Sequence, residues 1–300
     1  IHYLTLAANQ NNDSAQYFLG SIYYNGPLAL KNINKAIHYF TLAAEQNHSE
    51  AQLILGSIYF NGIYVEKHLK KGIYLFNLAS LNRNVKAHFI MGCLYHQGRY
   101  IERDINQAIH YYKEGSSFNN QYAKNNLGIL FKHDTLTRKN YGLSIVYFEE
   151  AIKQKKDRVS MYNLAHLYCY EELIENSIDR SIELLIQSIK QEFEPSLRLL
   201  CLALIRKHGY NMSLIKQETD KYTNDITNLF EAFNKMIFYF QLNIKAKYEY
   251  YFESFRNIDF LYNFNEDYFI SSQIESPKKS EKIKTPSLSK EFYEGFGFTV

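Results

Sequence analysis

The sequence predicts an all-α protein assembled from repeated pairs of helices. One period of 36 residues runs through its first two-thirds. Ala15, Ala51, Ala87 and Ala123 hold it, as do Gly20, Gly56, Gly92 and Gly128, and Ala36, Gly72, Ala108 and Ser144. Within a period the apolar residues recur at helical spacing on two stretches, Ala87, Met91, Leu94 and Tyr95 on the first and Ile105, Ala108, Ile109 and Tyr112 on the second. No alternating apolar run of the kind that marks a half-buried strand breaks the pattern.

The chain is expected to open inside a second helix, because Ile1-His2-Tyr3-Leu4-Thr5-Leu6-Ala7-Ala8 copies Ile37-His38-Tyr39-Phe40-Thr41-Leu42-Ala43-Ala44 one period later. Residues 1–12 are thus the end of a truncated repeat, and 13–192 form five repeats. Each first helix follows a column of capping residues, Asn12, His48, Asn84, Asn120 and Asp157. Most of these side chains can accept from the unpaired amides of a first turn, which places helix starts near 13, 49, 85, 121 and 158. The fifth unit runs one residue late, with Ser160 in the alanine column, as one residue added to a turn would produce. The small column of Gly20, Gly56, Gly92, Gly128 and Ala165 falls in mid-helix, where glycine costs about 1 kcal/mol relative to alanine. A close approach of the paired helix is the simplest compensation.

First helices are expected to stop at Asn25-Gly26, Asn61-Gly62 and Gln97-Gly98, each glycine taking the left-handed conformation that ends a helix. Asp134 and Glu171 stand at that place in the fourth and fifth units. Second helices follow Asn32, His68, Asp104, Asn140 and Ser177, and bury small residues of the Ala36 and Ala43 columns against the first. A degenerate sixth repeat spans 193–222. Its first helix starts at Pro195, a residue suited to the first helical turn, and stops at Gly209. Over 223–270 a one-faced apolar stripe from Ile226 to Phe255, free of Gly and Pro, reads as a long C-terminal helix capping the end of the repeat stack. Residues 271–300 read as a disordered tail with an aromatic C-terminus, Phe292 to Val300, and two minimal proline-directed sites, Ser276-Pro277 and Thr285-Pro286.

The pattern Ala15-x3-Leu19-Gly20-x2-Tyr23-x2-Gly26, followed by Lys35-Ala36-x2-Tyr39 and Ala43-Ala44, resembles the Sel-1-like repeat family, a cousin of the tetratricopeptide repeat. It recurs about five times over roughly 210 residues, and the 36-residue period suits Sel-1-like units better than the 34 of the tetratricopeptide repeat. The usual second glycine of the inter-helix turn is replaced by Leu28, Tyr64 and Tyr100, which puts that turn's conformation in question, since only glycine enters positive φ cheaply. The resemblance implies a right-handed α-hairpin solenoid with a concave face, and adaptors that assemble other proteins. Some relatives stand beside protein kinase domains, so the alternative is a regulatory repeat segment of a larger enzyme whose catalytic domain lies upstream of residue 1.

The formal charge of +3 over 300 residues is too small to mark a nucleic-acid or membrane surface. No apolar run reaches the roughly 18 residues of a membrane span. Cys93, Cys169 and Cys201 are few, odd in number and widely spaced, which argues against a disulfide framework and for a reducing compartment, the cytoplasm by default. Metalloprotease, phosphate-loop and nucleophile-elbow motifs are absent. Cys93-x2-His96 is an isolated pair where zinc needs three or four ligands. The sequence therefore predicts neither enzyme activity, cofactor nor metal in this segment, and it leaves the oligomeric state open.

If the units stack as tetratricopeptide repeats do, four columns of each first helix line the concave face and take a partner protein or peptide. They are Tyr17, Leu53, Phe89, Asn125 and Tyr162; Ser21, Ser57, Cys93, Ile129 and His166; Tyr24, Phe60, His96, Lys132 and Cys169; and Asn25, Asn61, Gln97, His133 and Tyr170. Such a groove is aromatic and amide-rich with one lysine, and it should hold an extended or helical segment through apolar anchors and amide hydrogen bonds, with Tyr17 and Phe89 among the strongest contributors.

Overall fold

The computed structural model describes residues 1–27, 30–133, 140–170, 177–191, 193, 195–209 and 211–222. The expected capping helix of 223–270, the tail of 271–300, and Leu28, Asp134 and Glu171 lie outside them. All regular secondary structure among the described residues is helical. It comprises α1 (His2–Asn9), α2 (Asp13–Asn25), α3 (Ile33–Glu45), α4 (Ser49–Asn61), α5 (Leu69–Leu81), α6 (Val85–Gln97), α7 (Ile105–Ser117), α8 (Gln121–Lys132), α9 (Tyr141–Lys155), α10 (Arg158–Tyr170), α11 (Ser177–Ile189), α12 (Pro195–His208) and α13 (Met212–Asp220). Each helix packs on its neighbours in sequence, and the first helices α6, α8, α10 and α12 also touch in succession. This is an α-hairpin solenoid, with contacts confined to adjacent repeats.

The capping columns explain where the helices begin. Asn12, Asn84 and Asn120 accept from the amides of Ala15, Ala87 and Ala123 at 2.8, 3.1 and 3.0 Å, and Asp157 accepts from Ser160 at 2.8 Å. His48 and His68 cap through Nδ1 at 3.3 Å, so their rings carry no proton on that nitrogen. Second helices α3, α7 and α9 are capped by Asn32, Asp104 and Asn140 at 3.0, 3.0 and 2.9 Å.

Mid-helix glycines are where the paired helices meet. A Cβ on Gly20, Gly56, Gly92 or Gly128 would lie 2.7, 2.9, 2.5 or 2.6 Å from the ring of Phe40, Phe76, Tyr112 or Phe148, all of them essentially fully buried. In the fifth unit the same column pair is Ala165 and Leu185, both at zero exposure. A methyl has been added on one side and an aromatic ring reduced to an isobutyl group on the other. Where serine takes the alanine column of the second helix it bonds back to the small residue it faces, Ser144 to the Gly128 carbonyl at 2.7 Å and Ser181 to the Ala165 carbonyl at 2.8 Å.

Turns depart from expectation in three places. Gly62 and Gly98 are left-handed (φ 71° and 66°), but Gly26 is extended at φ −65°, ψ 169°, because Pro27 excludes the helical region for the residue before it. Tyr64 takes a left-handed φ of 64° despite its side chain. A further left-handed column joins α1, α3, α5, α7 and α9 to the next unit, with φ between 50° and 66° at Asn11, Asn47, Arg83, Asn119 and Lys156. In the first four of these turns the next residue's amide reaches back to Ala7, Ala43, Ala79 and Gly115, which is a Schellman closure.

The sixth repeat is held differently. Its second helix, α13, is only nine residues long and buries Ile215, while Lys207 and Lys221 bond Glu218 at 3.1 and 3.0 Å and Lys207 also bonds Asp179 at 2.6 Å. Burial pushes the Glu218 carboxyl up, yet the two ammonium groups outweigh it and hold it below the usual carboxylate range. Ion pairs here stand in for the apolar columns this unit lacks.

Candidate protein-interaction surface

The four candidate columns fall on the first helices, and their environment changes along the solenoid. In α2, Tyr17, Ser21 and Tyr24 are half-buried and Asn25 is exposed. Tyr17 stacks on the His48 cap at 4.5 Å between ring centroids, and Tyr24 meets the Tyr64 ring edge-on at 6.4 Å. Burial raises the pKa of both phenols, with a hydrogen bond to Ser21 opposing at Tyr17 and Tyr64 adding at Tyr24. The strained Tyr64 backbone therefore sets a second aromatic ring beside Tyr24, where Lys31 bonds its hydroxyl at 3.2 Å.

In α4, Leu53, Ser57 and Phe60 are buried, with the Ser57 hydroxyl donating to the Leu53 carbonyl at 2.8 Å. Asn61 is half-buried, and both atoms of its carboxamide are shut from solvent with no hydrogen-bond partner. In α6, Phe89 and Cys93 are buried, His96 is half-buried and Gln97 exposed. Cys93 and His96 both face the Tyr112 hydroxyl, at 3.5 and 3.4 Å. Burial first, then the charges of Arg103 and His133, push the His96 pKa down to about 4.

From α8 onward the columns are enclosed. Asn125, Ile129 and Lys132 are buried and His133 is half-buried; Tyr162, His166, Cys169 and Tyr170 of α10 are all buried. Lys132 Nζ lies 2.9 Å from His166 Nδ1, and His166 stacks on Tyr170 at 4.5 Å. Asn125 accepts from Ser160 at 3.1 Å and from Asn163 at 2.9 Å, and donates to Asn126 at 3.3 Å; Asn126 in turn donates to the Tyr112 hydroxyl at 3.1 Å. This polar chain through the third to fifth units includes Tyr112, Asn126, Ser160 and Asn163, which the column argument missed. Its signal was present in the column Phe18, Ile54, Ile90, Asn126, Asn163, where an apolar position turns polar and stays so.

Among the described residues no group of three or more His, Cys, Asp or Glu could hold a metal, and no helix is long and apolar enough to cross a membrane. Cys93, Cys169 and Cys201 are buried thiols; burial pushes Cys169 up to about 12 and raises Cys201 as well, so neither forms a nucleophilic thiolate near neutral pH.

A stack of two-helix units in which each helix packs on its neighbours in sequence defines a helical-repeat solenoid. The Sel1 repeat family model matches residues 13–48, 49–84, 85–117, 121–156 and 158–193, more than half of the chain, and the chain belongs to the Sel1 repeat family. The crystal structure of c5321, a protective antigen present in uropathogenic Escherichia coli strains displaying an SLR fold, superposes with a TM-score of 0.65 at 21% identity, over 85% of this chain and 51% of that one. This chain thus spans about half the length of c5321. The crystal structure of a Sel1 repeat protein from Oxalobacter formigenes superposes with a TM-score of 0.59 at 23% identity, over 66% of this chain and 79% of that one. Both likenesses establish the fold. No curated protein matches the chain.

Proposed function

We propose that this segment is a non-catalytic protein-interaction scaffold that holds a partner's extended segment against the first-helix face at its N-terminal end. Sel1 repeat proteins are generally interaction scaffolds and typically lack catalysis. The observation that carries the finer reading is the opening of the candidate columns on α2, where Tyr17, Ser21 and Tyr24 are half-buried and Asn25 is exposed. The Asn25 carboxamide presents a donor pair and an acceptor, to which a partner's peptide bond is complementary. Gln97, also exposed, occupies the same column two units on. Tyr17 and Tyr24, half-buried on the same helix as Asn25, offer the aromatic anchors that dominate binding energy at such surfaces. The enclosed positions, Leu53, Phe89, Asn125, Lys132, Tyr162, His166 and Tyr170 among them, shape the floor of this face rather than its accessible rim.

The test is selection of peptides from a random display library on the full chain, followed by binding measurements with Tyr24→Ala and Asn25→Ala at two salt concentrations. Each substitution should weaken binding by on the order of 1–2 kcal/mol. Salt should have little effect, because few charges would be neutralised. Peptides that bind both variants undiminished but dissociate at high salt would overturn the reading and direct attention to the basic end of α9 near Lys153 and Lys156.

A further inference from the structure

Helix caps in the second repeat are chemically unlike those around it. Asn12, Asn32, Asn84, Asp104, Asn120 and Asn140 cap with a carboxamide or carboxylate oxygen. Both helices of the second repeat are capped by an imidazole instead. His48 Nδ1 accepts from the Ala51 amide of α4 and His68 Nδ1 from the Lys71 amide of α5, each at 3.3 Å. An amide oxygen keeps its lone pairs as the pH falls, whereas an imidazole nitrogen loses its only one to a proton. Histidine is the side chain that ordinarily changes charge between pH 5 and 8.

The turn at His48 is also where the second repeat is tied to both neighbours. His48 stacks on Tyr17 of α2 at 4.5 Å between ring centroids, so its ring bridges the first repeat and the α4 cap. Near the start of α4, Glu50 accepts from Asn84, the cap of α6, at 3.0 Å. Gln52 donates to the Ala44 carbonyl of α3 at 3.0 Å and accepts from Asn82 at 2.9 Å, as Gln16 accepts from Gln46 one unit earlier at 2.7 Å. Ionisable neighbours of His48 are Glu50 and Tyr17, with the exposed Glu45 at the end of α3. Around His68 stand Glu66 and Lys67 of the loop and Lys70 and Lys71 of α5, and Lys71 Nζ lies 3.8 Å from the centre of the Tyr59 ring of α4.

We propose that the second repeat is an acid-sensitive joint of the solenoid: protonation of His48 and His68 removes the acceptors that cap α4 and α5, and the stack loosens there before its neighbours do. A ring carrying protons on both nitrogens has no lone pair for the Ala51 or Lys71 amide, and its charge faces the positive end of the helix macrodipole. Protons therefore favour the uncapped turn, so each cap contributes fully at higher pH and is lost as the pH falls. The Tyr17 ring attracts the imidazolium stacked on it but offers the Ala51 amide nothing, so the ring stays in place without the cap. Once the first turn of α4 frays, Glu50–Asn84 and Gln52–Ala44 weaken with it, and these are the bonds that fix the second repeat on the third and the first.

The test is an NMR pH titration of the full chain, ¹⁵N-labelled and carrying ¹³C-labelled histidine, from about pH 7.5 to about pH 5. The amide protons of Ala51 and Lys71 should shift in step with the ring signals of His48 and His68, while those of Ala15 and Ala123, capped by Asn12 and Asn120, stay in place. Hydrogen exchange, corrected for its intrinsic pH dependence, should show α4 and α5 losing about 2- to 30-fold more protection than α2 and α8, the range set by one lost cap. His48→Asn/His68→Asn supplies carboxamide caps and should remove this excess loss, whereas the acid response of His96 remains. Rings that do not titrate in this range, rings that titrate without moving the Ala51 and Lys71 amides, equal shifts at Ala15 and Ala123, or an excess loss that survives the double variant would overturn the proposal.

Discussion

Adding one methyl group at Gly128 separates close packing from simple helix propensity as the reason for the glycine column. In an unconstrained helix interior Gly→Ala stabilises by about 1 kcal/mol. At Gly128 the new Cβ would sit 2.6, 2.7 and 2.9 Å from Cε1, Cδ1 and Cζ of Phe148, about 1 Å inside ordinary carbon–carbon contact. Phe148 has zero exposure and no open side to move toward. Overpacking of this kind costs roughly 1–3 kcal/mol and occasionally more, so Gly128→Ala should destabilise by about 1–3 kcal/mol net in urea unfolding of the full chain. Phe148→Leu alone leaves a void and should cost about 1–2 kcal/mol. Combined, the two recreate the Ala165–Leu185 pair of the fifth unit, and the double variant should be more stable than the sum of the singles by at least about 1 kcal/mol. A stabilised Gly128→Ala, or strict additivity in the cycle, would show that the glycine is there for a reason other than the ring.

Arg83→Asn should raise stability by a few tenths to about 1 kcal/mol, because asparagine tolerates the left-handed φ of 60° better than arginine does; an unchanged or lower urea midpoint would count against strain at this turn. His48→Asn restores the preferred capping amide and should raise the thermal midpoint measurably; an unchanged or lower midpoint would show that the stack on Tyr17 outweighs the cap. Stability should also fall with acid in a defined window. The folded pKa of His96 is about 4 against 6.5 for the ordinary group, so protonation favours the unfolded chain. The contribution is complete above about pH 6.5, is reduced by about 2 kcal/mol at about pH 5, and stops changing below about pH 4; His96→Gln should flatten that part of the pH profile.

The repeat boundaries were legible because they rest on local chemistry at a fixed period. Caps such as Asn84 and stops such as Gly98 act within one turn of their own backbone, so reading them needed no knowledge of the partner helix. Ala165 and Leu185 were also readable in principle, as two substitutions that compensate twenty residues apart. The conformation of Gly26 was overridden by its neighbour Pro27, which the column view ignored. Left-handed residues at Asn11, Asn47 and Asn119 were visible as an asparagine column, but Arg83 and Lys156 share the conformation without sharing the residue type. For the interaction surface, the columns identified which helix face to consider but not how deep each residue sits. Depth depends on what packs over Phe89 or Tyr162, and no spacing rule carries that information.

The third unit is where the solenoid changes its way of joining neighbours. Before it, polar ties between units lie at the turn edge, Gln16 to Ala8 and Gln52 to Ala44, and the first-helix centre is apolar at Ile54 and Ile90. After it, amides occupy the centre, with Asn125 linked to Ser160 and Asn163 of the next unit. Each arrangement fixes the register of one repeat on the next, since a slipped unit would leave buried amides unpaired at about 1–3 kcal/mol each. In a structure whose stability is a sum over neighbouring units, such ties can be moved from edge to centre without weakening the stack. Moving them inward removes the need for a glutamine at position 88 or an amide at 118, and at the edge of the third unit a ring pair, His88 stacked on Phe118, takes the place of the amide pair.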